Sequence, residues 1–83
     1  MLLKDNGLKN DDLDMIAAED MAQIEQYGYQ AHTPELWQVI LTEEVGELSK
    51  AILEGNIKAA EKEAIQVATV ALKMAVMFRK ERE

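Results

Sequence analysis

Two long amphipathic segments joined by a very short link constrain this chain more than any other feature. The first covers residues 34–53 and the second residues 57–81, and both repeat apolar residues at the three- and four-residue spacing of a helix. Gly55 in the link favours the left-handed conformation that ends a helix, and Asn56 is a good cap for the next one. Because so short a link forces the second helix to fold back, the sequence predicts an antiparallel helical hairpin.

A shorter helix is predicted ahead of the hairpin, over residues of about 11–26. Asn10 or Asp11 is suited to cap it, and Gly28 to end it. Its apolar positions follow the helical spacing, at Leu13, Ile16, Ala17, Met21 and Ile24. Residues 1–10 show no sustained period, and we expect them to form a flexible arm.

The predicted fold class is all-α, with residues 1–83 forming one small domain. The apolar arc of the last helix covers about 260° of its circumference at 100° per residue, and a helix apolar almost all round must be covered on more than one side. Three short helices in one chain cannot provide that cover. The sequence therefore predicts a homo-oligomer in which hairpins assemble into a four-helix-type bundle, with a dimer as the minimum.

Composition excludes several classes of protein. A net charge of −7 argues against binding to a nucleic acid polymer. The absence of cysteine excludes disulfides and thiolate metal sites. No apolar run approaches the ~20 residues that cross a bilayer, and no signal peptide is recognisable. We therefore expect a cytoplasmic protein without a membrane partner.

Three glutamates interrupt the apolar faces of the hairpin helices. Glu44 and Glu47 stand one turn apart inside the apolar arc of the first helix, and Glu63 lies in the middle of the apolar arc of the second. Gln66 follows one turn later, at the edge of that arc. In an antiparallel hairpin these four side chains should converge between the two helices.

A carboxylate buried without a partner costs several kcal/mol or takes up a proton. A divalent cation is the commonest way to offset that cost, and oxygen ligands of this kind suit magnesium. The alternative is a set of salt bridges between these acids and Lys50 and Lys62.

The two acidic motifs have a recognisable spacing. E-E-V-G-E at 43–47, followed by E-A-I-Q at 63–66 in an apolar helix, resembles the MazG-like all-α nucleoside triphosphate pyrophosphohydrolases, whose pattern is E-E-x-x-E, a spacer and E-x-x-D. H-T-P-E-L before the first motif and K-A-I after it are also similar to the family. The resemblance covers roughly residues 24–78.

The resemblance implies a magnesium-dependent hydrolase, with manganese as an alternative ion, that assembles as a dimer or as a tetramer formed from two dimers. It would cleave a nucleoside or deoxynucleoside triphosphate between the α and β phosphates, releasing a monophosphate and pyrophosphate. Glu44, Glu47 and Glu63 would be metal ligands, and Glu43 an adjacent acid. A free carboxylate, Glu43 or Glu47, would take the proton from the attacking water. Gln66 stands where the family has aspartate, and its amide oxygen can ligate a metal but brings no charge.

Four further residues are candidates for substrate binding. Lys50 and Lys73 lie on edges of the helices suited to meeting phosphates, although each could instead form a surface salt bridge. Trp37 offers an aromatic face to a base, or alternatively anchors the core between helices. His32 matches a His-x-Pro stretch of some family members, or is simply an exposed loop residue.

Two other functions remain compatible with the sequence. The chain could be a catalytically weakened, nucleotide-binding or regulatory relative, because Gln66 removes one negative charge from the site. It could also be a helical dimerisation module without catalysis.

Overall fold

The computed structural model of the protein describes residues 7–83, which form three helices and no strand. The helices are α1 (Asn10–Tyr27), α2 (Pro34–Leu53) and α3 (Ile57–Glu81). The all-α fold class is therefore confirmed, and α2 and α3 have the bounds that the sequence predicts. Most of the arm predicted for residues 1–10 lies outside the described residues, and its last residue belongs to α1.

The hairpin helices begin at caps that satisfy their first backbone N–H groups. The Thr33 hydroxyl accepts a hydrogen bond from the Leu36 N–H at 3.2 Å, and Pro34 occupies the first position of α2. The Asn56 side chain accepts from the Ala59 N–H at 3.0 Å. Both helix starts are thus fixed by local chemistry.

The cap predicted for α1, Asn10 or Asp11, is wrong by one or two residues. Lys9 occupies the cap position in extended backbone, and its N–H donates to the Asp12 carboxylate at 2.8 Å. An acid at the third helical position that reaches back to the cap N–H serves the same purpose as a cap side chain. The helix therefore starts earlier than the cap preference alone indicates.

The link between α2 and α3 turns the chain back in the way the sequence predicts. Gly55 has a φ of 69°, and the N–H of Asn56 donates to the Ala51 carbonyl at 3.0 Å. This hydrogen bond satisfies a carbonyl group at the end of a helix, where no further helical N–H is available, while the chain reverses direction. The two helices consequently pack against each other along most of their length.

The core lies between α2 and α3. Its buried residues are Trp37 and Ala51 from α2 and Thr69 and Val70 from α3. Thr69 is 1% exposed, and its hydroxyl donates to the Ile65 carbonyl at 2.7 Å. That bond satisfies the polar group, so burying it carries little penalty.

α1 packs on α3 more loosely, and none of its residues is fully buried. Met21, an expected core position, is 65% exposed. Asp20 instead points to α3, because it stands four residues from both Ile16 and Ile24 on the same face. The described chain measures 42 × 27 × 26 Å, and none of its helices is long and apolar enough to cross a membrane.

Alanine substitutions at two glycines should change the free energy of unfolding in opposite directions. Gly55→Ala should lower the free energy of unfolding by about 1 kcal/mol, because an L side chain is strained at its positive φ. Gly46→Ala should raise it by about 1 kcal/mol, because Gly46 is helical and an added Cβ meets no atom within 4 Å. Urea unfolding followed by circular dichroism, at one protein concentration, measures both. Equal effects of the two substitutions would contradict this account of the turn.

Candidate carboxylate site

Glu44 of α2 and Glu63 of α3 meet between the two helices of the hairpin. Glu44 and Glu63 are both half-buried, and one carboxylate oxygen of each, Oε2, is buried without a hydrogen-bond partner. Buried polar atoms in folded proteins are nearly always paired. Two unpaired acceptors at one place therefore indicate a position where a positive charge or a proton is missing.

The electrostatics of the pair agree with that reading. Burial raises the pKa of Glu44 to about 7, and a hydrogen bond to Glu63 together with the negative charge of Glu63 adds to the rise. The charges of Glu47 and Glu43 contribute further. The hydrogen bond exists only while a proton is present, since two ionised carboxylates have no donor between them. The pair is therefore unfavourable when both groups are charged.

No basic residue of the described part of the chain forms an ion pair with Glu44 or Glu63. Across residues 7–83 one ion pair is present, between Lys73 and Asp20, with 2.8 Å between Nζ and Oδ1. Lys50 and Lys62 are exposed and form no ion pair with the glutamates. The described structure therefore does not contain the salt bridges to Lys50 and Lys62 that were the alternative to a metal site.

The structure brings together part of the predicted ligand set. Glu44 and Glu63 meet, Gln66 is half-buried one turn beyond Glu63, and Glu47 and Glu43 are exposed. Within the described part of the chain, no three acidic or histidine side chains form a group able to hold a metal ion. The centre is therefore a pair of carboxylates. The charges of Glu47 and Glu43 raise the pKa of Glu44, but these two acids do not complete a set of metal ligands.

A two-carboxylate centre fits magnesium in a particular way. Magnesium commonly keeps several water ligands and is held by one or two carboxylates together with the phosphates of a substrate. The unpaired oxygens of Glu44 and Glu63 would be those two ligands if the ion were bound. The residues present therefore suit an ion that arrives with a phosphate ligand better than an ion bound by protein alone.

The aromatic candidates lie together at the other end of α2. The ring of His32 meets the ring of Trp37 edge to face, with 4.7 Å between ring centroids and an interplanar angle of 68°. Both residues line a groove of about 770 Å³ between α1, the segment before α2, and α3, and exposed Tyr29 also lines it. Trp37 is 8% exposed, so it serves as a core anchor while its edge forms part of the groove.

Lys73 lies in the same groove but is already engaged. Its Nζ contacts Asp20, lies 3.3 Å from the Gln23 amide oxygen, and sits 5.9 Å from the Trp37 ring centroid. The salt-bridge alternative for Lys73 is therefore what the structure shows. Lys50 is exposed on α2 and is not part of the groove.

Asp20 and Gln23 are functional candidates that the sequence interpretation missed. Both line the groove and contact the Lys73 ammonium group, which with Lys80 is one of the two lysines that line it among residues 7–83. The available signal was the position of Asp20 on the apolar face of α1, four residues from Ile16 and Ile24. A charged residue inside an apolar stripe indicates a partner on the neighbouring helix.

The groove and the carboxylate pair lie at different places on the hairpin. None of the four glutamates of the predicted site, nor Gln66, lines the groove. Trp37 and Glu44 are seven residues apart on one helix, which corresponds to about 10 Å along its axis. No family model, curated protein or solved structure matches the chain.

The raised pKa of Glu44 predicts a pH dependence of stability. Since the pKa of Glu44 rises in the fold from 4.5 to about 7, protonation stabilises the fold. The stabilisation is complete below about pH 4.5 and is lost as the pH rises through 7. With a chelator present, Glu44→Gln should therefore be more stable than the unsubstituted chain at pH 8 and should lose this advantage near pH 5.

Thermal unfolding at both pH values measures the difference. Glu61→Gln, at an exposed glutamate two residues before Glu63, controls for the loss of one charge on the hairpin. An advantage of Glu44→Gln that is the same at both pH values would disprove the linkage.

Proposed function

We propose that this protein is a magnesium-dependent nucleotide pyrophosphohydrolase of the MazG-like kind, acting on free nucleotides in the cytoplasm. It would hydrolyse a nucleoside or deoxynucleoside triphosphate between the α and β phosphates to a monophosphate and pyrophosphate. One observation carries the proposal: Glu44 and Glu63 face each other across the hairpin with unpaired, buried oxygens, and no basic residue among 7–83 forms an ion pair with them. The motif resemblance around these residues supplies the reaction class.

The roles of the acids follow from their burial. Glu44 and Glu63 are half-buried and fixed between helices, which suits metal ligands. When bound, magnesium would polarise the phosphate oxygens and lower the pKa of water. Glu47 and Glu43 are exposed beside the pair, so one of them can orient the attacking water and accept its proton. Glu47 can also turn inward as a third ligand, with Gln66 as a neutral fourth.

The substrate has two places to interact with the chain. Its base would lie against the edge of Trp37 and against His32, while the triphosphate reaches toward the glutamates about 10 Å along α2. Lys50 is free of ion pairs and can approach a phosphate, whereas Lys73 would contact a phosphate only by giving up Asp20. The acidic surroundings of the site make binding of a triphosphate dependent on the metal.

The proposal includes self-association. α3 keeps large apolar residues exposed outside the groove, among them Ile57 and Phe78. Exposed apolar surface of this kind usually marks an interface. The hairpins would pack together as a homo-oligomer with a four-helix-type core, with the dimer as the basic unit.

Activity provides the direct test. With magnesium and each common nucleoside triphosphate, the protein should release pyrophosphate, and manganese should substitute in part. Glu44→Gln and Glu63→Gln should each lower kcat/KM by on the order of 100-fold or more, because each removes charge stabilisation of the reacting phosphates. Glu61→Gln, exposed on the same helix, should retain full activity. Pyrophosphate release that survives both site substitutions would indicate a contaminant and end the proposal.

A catalytically weakened nucleotide-binding relative is the second candidate, and it is favoured by the incomplete ligand set. Gln66 is neutral, and no three acids converge within residues 7–83. The alternative predicts calorimetric binding of magnesium and a triphosphate with little turnover. Gln66→Asp should then tighten magnesium binding and raise turnover, because it adds a negative charge beside Glu63. Gln66→Glu tests whether position as well as charge matters. Absence of any magnesium-dependent nucleotide binding would leave only a dimerisation module.

A further inference from the structure

A small polar cluster lies in the groove, where α1 meets α3. The Lys73 ammonium lies 2.8 Å from Asp20 Oδ1 and 3.3 Å from the Gln23 amide oxygen. The Gln23 amide N–H donates in turn to the Glu19 carboxylate at 3.0 Å, which fixes the orientation of the amide. Around the cluster the walls are apolar and include Ile24, Leu72 and Val76. Apolar walls with a few fixed polar groups, in a volume of about 770 Å³, are typical of small-molecule sites.

The cluster has hydrogen-bonding capacity that the protein itself does not use. An ammonium group has three N–H donors, and the contacts of Lys73 with Asp20 and Gln23 account for two of them. A carboxylate has two acceptor oxygens, and among residues 7–83 only Oδ1 of Asp20 has a polar contact. The side chains of Lys73 and Asp20 are 29% and 39% exposed, so a ligand in the groove can reach them. One N–H donor and one carboxylate oxygen therefore remain for a ligand, next to each other.

The charges that line the groove cancel each other. Asp20 and Glu81 bring two negative charges, and Lys73 and Lys80 bring two positive charges, in a chain whose net charge is −7. A groove of this kind has no net attraction for an anion. A phosphate would also have to take Lys73 from Asp20 and would then lie beside a carboxylate. The occupant that fits is therefore an uncharged ring with both donors and an acceptor on one edge.

Guanine has an edge of this kind. Its O6 is an acceptor, and the neighbouring N1–H and N2–H₂ groups are two adjacent donors. Since a carboxylate can accept two parallel N–H donors, this edge places O6 against the third N–H of Lys73, N1–H against Asp20 Oδ1 and N2–H against Asp20 Oδ2. Adenine and cytosine have one amino group beside an acceptor nitrogen, and uracil has one N–H between two acceptors. None of these three bases therefore presents two adjacent donors to Asp20.

We propose that the groove recognises guanine, with Asp20 accepting from N1–H and N2–H₂ while the Lys73 ammonium beside it donates to O6. Asp20 and Lys73 are then the residues that give the proposed pyrophosphohydrolase a preference for guanine nucleotides. The inference rests on the function proposed above for the phosphates, whereas binding of the ring requires neither metal nor hydrolysis. Gln23 is a positioning residue, because it holds the Lys73 ammonium beside Asp20.

The spacing along both hairpin helices suits a nucleotide that spans the groove and the carboxylate pair. Lys73 follows Gln66 by seven residues, and Trp37 precedes Glu44 by the same number. Seven residues are about two turns, so the two residues in each case lie on one side of their helix, about 10 Å apart. A ring held at Lys73 therefore leaves enough length for a sugar and phosphates to reach Glu44.

Aromatic residues beside the cluster would add affinity without selecting a base. Tyr29 is 90% exposed, His32 is half-buried, and both line the groove. Stacking on an aromatic side chain tolerates every base, because each base has a π face. The preference for guanine therefore depends on the hydrogen-bonding edge, at Asp20 and Lys73.

Binding of nucleoside monophosphates tests the site without hydrolysis. Trp37 is the sole tryptophan of the chain and lines the groove, so its fluorescence reports on an occupant. With a chelator present, guanosine monophosphate should bind at least about tenfold more tightly than the adenosine, cytidine and uridine monophosphates. Inosine monophosphate lacks only the N2 amino group and should bind about tenfold more weakly than guanosine monophosphate. Xanthosine monophosphate has an oxygen at that position, which would face Asp20 Oδ2, and should bind more weakly still.

A substitution at Asp20 should reverse a preference instead of only weakening binding. Asp20→Asn replaces one carboxylate oxygen by an NH₂ donor, which matches the O2 acceptor of xanthine. The variant should therefore bind xanthosine monophosphate more tightly than guanosine monophosphate. Asp14→Asn, at an exposed acid of α1 outside the groove, removes the same charge and should keep the guanine preference. Loosened packing of α1 would weaken all the ligands alike and would not reverse their order.

Equal binding of the four common monophosphates, or no binding of any of them, would overturn the inference. An Asp20→Asn variant that keeps the guanine preference would overturn it as well. If this variant does not fold, the comparison of guanosine, inosine and xanthosine monophosphates on the unsubstituted chain decides the question alone.

Failure of this inference is distinguishable from failure of the proposed function. Guanine-selective binding without pyrophosphate release from any triphosphate would leave the recognition intact and end the hydrolase proposal. Pyrophosphate release with the same kcat/KM for all four common triphosphates would end the recognition alone.

Discussion

The contact of α2 with α3 is the interaction on which the rest of the structure depends. Gly55 and Asn56 turn the chain within two residues, and this turn fixes which residues of the two helices lie side by side. The core residues Trp37 and Val70 belong to that contact, as do Glu44 and Glu63. The same register therefore builds the apolar core and brings two acids together inside it.

Placing two acids in that contact creates an unfavourable electrostatic arrangement. Two half-buried carboxylates, with no ion-pair partner among residues 7–83, lose hydration and repel each other, which raises the pKa of Glu44. The fold tolerates them because the protonated pair shares a hydrogen bond, and in the proposed function a bound cation would serve the same purpose. The same pair of acids therefore links the stability of the hairpin to its proposed chemistry.

α1 has a different role from the hairpin. It has no fully buried residue, and its polar contact to α3 runs through Asp20 and Gln23 to Lys73. Loose packing of this kind leaves the large groove whose floor includes Trp37.

The positions of the two hairpin helices follow from local signals, and the sequence alone was sufficient for them. Thr33 with Pro34, Gly55 with Asn56, and the apolar spacing between them determine where α2 and α3 begin and end. The start of α1 was misplaced because Asp12, inside the helix, supplies the acceptor that a cap residue usually provides. The convergence of the acids between the two helices was also predictable from the short antiparallel turn. Their pairing was not, because simple addition about that turn places Glu47 level with position 64, next to Glu63, whereas Glu63 meets Glu44.

Only the tertiary structure decided which charges find partners. The sequence shows Lys50, Lys62 and Lys73 as equivalent candidates, yet Lys73 alone is paired within residues 7–83, since α1 brings Asp20 against α3. Likewise, Glu47 lies in the apolar arc of its helix but remains exposed, because the neighbouring helix covers only part of that arc. Helical periodicity assigns a residue to a face, whereas the crossing of the helices determines how much of that face is covered, and this depends on side chains distant in sequence.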